Sequence, residues 1–498
     1  MNLFRFERNK KTTDMVLGQI EPKSVWQYFE ALNAVPRASK NEEQVIQFML
    51  DFGDRLGLET IQDKVGNIII RKAATAGMEN RKTVVLQSHL DMVHQKNNNT
   101  DFDFDTQGIS MFIEDGWVKA HDTTLGADNG IGVAAIMAVL ASDDIAHPAI
   151  EALFTIDEET GMTGAKGLQS DLLKGEILLN LDTEEDTEID IGCAGGVDVT
   201  ARRTYIPESV SNDATYYTLT VKGLHGGHSG MEIHRGLGNA NKILNRLLYT
   251  LLPLDIRLAN IDGGGLRNAI PRESVAVFAA DATTEELLLS VVEQESAAIK
   301  QEFATVDEAL EIILERREKP SAGVLPIVVQ TKLIQTLYAA PNGVYRMSAA
   351  FDNLVETSNN IARVKVGGGK ITVKCLTRSS VESSKVDLAN ALKCCFELMD
   401  AEVSFSGDYP GWTPNPNSEI LDVLKSTYTD LFEEEPHVVA CHAGLECGIL
   451  GSHYPEMDMI SFGPTILGAH SPQERVSISS VQKFWIFLLE ILKQIPVK

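Results

Sequence analysis

Apolar residues recur along this chain in two styles. In the first, a continuous apolar run ends abruptly in polar residues. Thr83 to His89 (TVVLQSH), Ala149 to Ile156 and Glu176 to Leu181 all read this way. Such runs fit buried strands of a parallel sheet, each opening into a loop. Residues 65–71 (VGNIIIR) add a short β-branched strand. Ahead of them, residues 24–57 read as two helices split at Val35-Pro36, where proline disfavours helix in the residue before it. Residues 128–142 (DNGIGVAAIMAVLAS) read as a helix with Asp128 as N-cap. The second style begins near Cys193-Ala194-Gly195-Gly196. In 215–223 (TYYTLTVKG) polar and apolar residues alternate, the mark of an antiparallel sheet with one solvated face. Helices are expected near 236–252, 284–303, 326–339 and 382–399. The buried style returns in 457–462, and a last helix covers 479–495. The expected fold is α/β, with a mixed sheet between helices, in two parts (1–196 and 405–498). An α+β insertion (197–404), long enough for two related halves, interrupts it.

Composition narrows the function. With 498 residues and 44% hydrophobic positions, the chain can bury large cores. Its 70 acidic residues against 44 basic ones give a net charge of −26, which argues against nucleic acid or an anionic membrane as partner. No apolar run reaches the ~18 residues of a membrane span, and the first residues lack the apolar segment of a secretory signal. Six cysteines without CxxC spacing are expected as reduced thiols in a cytoplasmic protein.

Polar constellations follow the predicted strands, where ligands bind in open α/β sheets. His89-Leu90-Asp91 places a histidine and an aspartate on one side of an extended segment, so the aspartate can orient a metal-bound imidazole. An HxD alone fits an ordinary structural histidine as well. Asp128, in Gly126-Ala127-Asp128-Asn129-Gly130, fits a helix cap, and its second oxygen leaves coordination open. Glu158-Glu159 reads as a solvated turn or as a ligand beside a general base. Asp182 opens a polar loop, and His470 sits in a later one, Gly463-Pro-Thr-Ile-Leu-Gly-Ala-His470. Together His89, Asp128, Glu159, Asp182 and His470 form a nitrogen and oxygen donor set without thiolate. Such a set suits zinc, manganese or cobalt and is large enough for two ions bridged by Asp128.

The segments VVLQSHLDMV, TTLGADNGIG, TIDEETGM, LNLDTEE and FGPTILGAHSP resemble, in order, the metal-site motifs of the aminoacylase/glutamate-carboxypeptidase-like di-zinc metallopeptidases. Further blocks, among them KGLHGGHSGMEIHRGLGNANK, GGGLRNAIPRE and HAGLECG, extend the resemblance from about residue 20 to 498. It implies a zinc-peptidase catalytic domain with residues 197–404 as its lid. Two zinc ions per chain are implied, with cobalt or manganese as substitutes. His89 and Asp182 would bind one ion and Glu159 and His470 the other. Asp128 would bridge them, Asp91 would orient His89 and Glu158 would be the base. In the lid, His228 would reach the substrate carbonyl, with His225 and His234 as neighbouring alternatives. Arg378 would take the substrate carboxylate, Asn268 would lie near the substrate, and Gly444 and Glu446 would line the pocket wall. Without the resemblance, the lid histidine and Asn268 read equally as turn residues, and Arg378 reads more readily as a surface arginine at a strand end. A Cys441/His442/Cys447 metal cluster is not expected.

The implied reaction is hydrolysis of unblocked dipeptides, Xaa-His dipeptides included, and the resemblance allows a homodimer. Tripeptide aminopeptidase or N-acyl amino-acid deacylase activity would suit the same zinc core. A non-catalytic metal-dependent binding protein would lack a ligand or the base, and here all are present. Gly263-Gly264-Gly265 lacks the strand–GxGxxG–helix setting of a nucleotide site.

Overall fold

Val84–His89 and Ile150–Thr155 are buried at every position and pair in parallel. A strand covered on both faces has no solvent side to alternate toward, which is why these segments read as continuous apolar runs. Ile177–Asn180 pairs in parallel on the other flank of Val84–His89, and Asp458–Ser461 continues the parallel set. Ile68–Lys72 joins antiparallel to Ile150–Thr155, so the sheet is mixed. Its full order is Glu59–Gln62, Ile68–Lys72, Ile150–Thr155, Val84–His89, Ile177–Asn180, Asp458–Ser461, Glu188–Cys193, His437–Cys441.

This computed structural model describes residues 17–97, 99–211, 213–320 and 323–498. The stretch 1–16, read above for a signal segment, lies outside the described residues. No helix among the described residues is long and apolar enough to cross a membrane.

The described chain divides into two compact units, one of residues 17–191, 415–439 and 449–498, the other of residues within 192–414 and 440–448. In the first, Lys23–Asn33 and Glu43–Leu56 flank the Val35-Pro36 break. Ala127–Ala141 is apolar around its circumference and presses on the sheet: a Cβ on Gly132 would lie 2.4 Å from Ser88 Oγ. The amphipathic Ile478–Gln494 buries Val481, Phe484, Phe487, Leu488 and Ile491. A small sheet of Met111–Glu114, Trp117–Ala120, Arg475–Ser477 and Ile466–Leu467 has no counterpart in the sequence pattern. Strands of two to four residues are too short to show a period.

The second unit is built on one antiparallel nine-stranded sheet. Its order is Glu311–Arg317, Thr215–Lys222, Ser274–Ala280, Arg257–Gly264, Val355–Gly367, Lys370–Ser379, Gly195–Thr204, Glu402–Tyr409, with Gly343–Met347 also paired to Val355–Gly367. Helices Ala240–Leu251, Glu285–Glu302, Ile327–Ala339 and Glu382–Glu397 share one core with its strands. The unit's limits differ from the expected 197–404. Gly195 already pairs with Ser379, and Glu402–Tyr409 pairs with Gly195–Thr204, so both ends belong to this sheet.

Candidate metal centre

The buried strand Val84–His89 delivers His89 to the sheet's edge with its ring fully enclosed. Nδ1 lies 3.1 Å from the Asp91 carbonyl oxygen and 3.3 Å from Asp91 Oδ1. With acceptors on that side, the proton of the neutral ring belongs on Nδ1, and the Nε2 lone pair faces Asp128 Oδ1 at 3.0 Å and Asp182 Oδ1 at 3.5 Å. Asp91 is itself held by Ser39 Oγ at 2.8 Å and by the backbone N–H groups of Glu158 and Glu159 at 3.0 and 3.3 Å.

Glu158 and Glu159 sit in the turn after Ile150–Thr155. Asp157 stands there at φ +53, and its carboxylate accepts from Thr160 and Thr163. His470 lies in the loop between Ile466–Leu467 and Arg475–Ser477, with Nε2 2.9 Å from Glu159 Oε2 and 3.2 Å from Asp128 Oδ2. Asp128 is not the helix N-cap expected from sequence. Gly126 takes that position in the left-handed region, whereas Asp128 is extended (φ −81, ψ 109) and aims its oxygens at the two histidines.

Two donor triads result, His89–Asp128–Asp182 and Asp128–Glu159–His470, each with its donor atoms within 4.8 Å of one another and with Asp128 common to both. Glu158 groups with His89 and Glu159. Burial and crowding shape the electrostatics of the cluster. Burial works against charge on His89, yet Asp182, Asp128 and Asp91 raise its pKa well above the usual value. Hydrogen bonds that its ring donates to Asp128 and Glu159 push His470 up to about 11 despite burial. Burial raises Asp182 to about 6, and burial with the Asp128 and Asp182 charges lifts Glu184 to about 8. Burial also opposes charge on Asp128, but bonds from His470 and His89 hold it below the ordinary carboxylate range. Glu159 Oε1 and Asp182 Oδ1 are buried without a hydrogen bond. Crowded carboxylates, two imidazoles and orphaned oxygens fit divalent-cation binding, since such cations favour these nitrogen and oxygen donors.

Sequence reasoning passed over two residues beside these triads. Buried Arg37 and Glu474 bond to the loops that carry the donors, but each is a single charge with no motif around it. A further buried group, Glu42, Asp91 and Asp157, is satisfied by Ser39, Thr160, Thr163 and backbone N–H groups.

The remaining sequence candidates belong to the second unit. Arg378 closes the strand Lys370–Ser379, 5% exposed, with Nη1 2.8 Å from Tyr409 Oη and Nε lacking a hydrogen-bond partner. His228 Nδ1 accepts from the N–H groups of Gly230 and Met231 at 3.3 and 3.0 Å, which leaves the ring proton on Nε2. Burial and Arg378 lower the His228 pKa, so the ring is a neutral donor. His442 Nε2 is 2.8 Å from Ser358 Oγ, and burial with Arg378 pushes it down to about 3. His225 is largely exposed. Asn268 is exposed, and its backbone carbonyl oxygen accepts from Ser229 N–H at 2.8 Å. Gly444 and buried Glu446 lie in the segment 440–448. Among the described residues, Cys441, His442 and Cys447 form no metal-type group.

Residues 85–494 match the model of peptidase family M20/M25/M40. The chain belongs to this peptidase family. The family match spans both units and all the donor residues. The chain is 45% identical to the cytosol non-specific dipeptidase of Escherichia coli (strain K12) over 483 residues, which cover 97% of this chain and 99% of the relative. It is similar to the crystal structure of aminoacylhistidine dipeptidase from Vibrio alginolyticus, with a TM-score of 0.93 and 43% identity over 97% and 98% of the two chains. The aminopeptidase PepT of Bacillus cereus, 16% identical over 96% of this chain and 99% of its own, shares the fold at a TM-score of 0.61. The protein is thus a peptidase-family hydrolase with a divalent-metal centre.

Proposed function

We propose that this protein is a metallo-dipeptidase that hydrolyses the peptide bond of unblocked dipeptides, Xaa-His among them, with two zinc ions. The observation that carries the reading is the placement of Asp128, one oxygen 3.0 Å from His89 Nε2 and the other 3.2 Å from His470 Nε2. The likeness to the Escherichia coli dipeptidase supports the substrate class.

His89, Asp128 and Asp182 would hold one ion, and Asp128, Glu159 and His470 the other. When bound, such a pair supplies Lewis-acid polarisation of the carbonyl and a more acidic water. Asp91 keeps the His89 proton on Nδ1. Glu158, next in the chain to Glu159 but outside both triads, takes a proton from the attacking water as the new C–O bond forms. It returns that proton to the nitrogen as the C–N bond breaks, so the products are two free amino acids. His228 Nε2–H donates to the carbonyl oxygen as negative charge builds there. Arg378 pairs with the substrate's terminal carboxylate. Asn268, Gly444 and Glu446 complete the substrate wall, and the second unit serves as the lid. The same proposal includes a cytosolic location, as in the relative's name, and a homodimer, which the mass in solution would test.

The test is a substrate panel on zinc-quantified enzyme. Unblocked dipeptides are expected to be cleaved in preference to tripeptides and N-acetyl amino acids. Preference for either of the latter overturns the dipeptidase reading.

A further inference from the structure

Two buried charged residues tie together three of the segments beside the donors, those of His89, Asp128 and His470. Glu474 follows His470 in the same loop and is 3% exposed. Its carboxylate accepts four successive backbone N–H groups: Oε2 takes Leu125 at 2.7 Å and Gly126 at 3.0 Å, and Oε1 takes Ala127 at 2.7 Å and Asp128 at 3.3 Å. Four converging N–H groups at the head of a helix form a nest that favours an anion. The loop of His470 is thereby fastened to the loop of Asp128.

Arg37 does the same from the carbonyl side. Fully enclosed, its Nη1 donates to the carbonyl oxygens of Leu90 at 3.0 Å and Asp91 at 3.2 Å, and its Nη2 to Gly126 at 2.6 Å and Asn33 Oδ1 at 2.9 Å. One guanidinium thus joins the segment after His89 to the segment before Asp128. Two glycines make room for it: a Cβ on Gly126 or Gly130 would lie 2.5 or 2.7 Å from Arg37 Nη2. Gly126 also stands at φ +72, where only glycine is comfortable.

We propose that Arg37 and Glu474 are positioning residues of the metal centre, holding the 125–128 loop from both faces so that Asp128 presents one oxygen to each donor triad. Neither residue supplies a donor atom to a triad. Their effect is on the separation of three loops distant in the sequence, and a bridging carboxylate depends on that separation more than any other donor. Metal sites are sensitive to such supporting bonds, which typically change affinity 10- to 100-fold. This inference rests on the two-ion reading above.

The test is a cobalt(II) titration of the metal-stripped full chain, followed by visible absorption, with melting temperature measured alongside. Glu474→Gln places an amide NH2 against backbone N–H donors, Glu474→Asp keeps the charge on a shorter arm, and Arg37→Lys cannot span both loops. Glu151→Gln is the control, since Glu151 is also buried and accepts two backbone N–H groups, from Lys174 and Gly175. The folded variants at 37 and 474 are expected to bind the second cobalt about 10- to 100-fold more weakly, with an altered spectrum. Glu474→Asp should fall between Glu474→Gln and the parent. The control should lose melting temperature but keep both affinities. If every folded variant at 37 and 474 matches the parent in affinity and spectrum, the proposal is overturned. If Glu474→Gln does not fold, the other two decide by the same criterion. A parent that itself binds no pair of cobalt ions would overturn the two-ion reading instead.

Discussion

Asp91 accepts the backbone N–H of Glu158 through Oδ1 at 3.0 Å, the same oxygen that stands 3.3 Å from His89 Nδ1. One buried carboxylate therefore sets both the orientation of a candidate metal ligand and the turn that carries the candidate base.

Replacing this carboxylate should disturb both. Asp91→Asn keeps the shape but presents NH2 to one side, against either the imidazole or the turn. Metal affinity is expected to fall about 10- to 100-fold, measured by competition with a chromogenic chelator. An unchanged affinity would mean that His89 needs no such support.

Glu158→Gln separates proton transfer from metal binding. Zinc content should stay at the parent value while kcat drops by about 10²- to 10⁴-fold, the usual contribution of a positioned acid–base group. A zinc-replete variant turning over at the parent rate would remove Glu158 from the mechanism.

For Arg378→Ala the expectation depends on the substrate. Charge-assisted hydrogen bonds contribute about 1.5–3 kcal/mol, so KM for free-acid dipeptides should rise about 10- to 100-fold. Dipeptide amides should change little. Equal losses on both would show that Arg378 does not read the carboxylate.

His442 gives a pH signature. Its pKa in the folded protein, about 3, lies below the ordinary 6.5, so the unfolded chain binds this proton first as pH falls. Stability should decline from near pH 6.5 towards pH 3, by at most about 1.4 kcal/mol per pH unit from this group. His442→Asn should flatten that limb in denaturant titrations of the metal-loaded enzyme. Identical acid limbs in parent and variant would contradict it.

Much of the first unit was legible because its central strands are short and wholly buried. Val84–His89, Ile150–Thr155 and Ile177–Asn180 have no polar face, and the residues just beyond them, His89, Glu158-Glu159 and Asp182, stand out against the apolar background. Asp128 was misread locally because an aspartate before an apolar helix satisfies every capping rule. Only the fold reveals that Gly126 ends the loop and that the aspartate points at histidines. Arg37 and Glu474 left no trace, since their partners are backbone atoms of remote segments and carry no residue signature. The late boundary of the second unit was missed for a related reason. Glu402–Tyr409 is an exposed strand whose polar sequence hides its pairing.

The proposed donor residues of the first unit come from segments far apart in the chain, with His470 arriving last and Glu474, which fastens its loop, just after it. If that donor set is the hydrolytic centre proposed above, the ribosome must pass His470 before the centre can close. A product of premature termination, however well its early strands fold, would be inert toward the peptides around it.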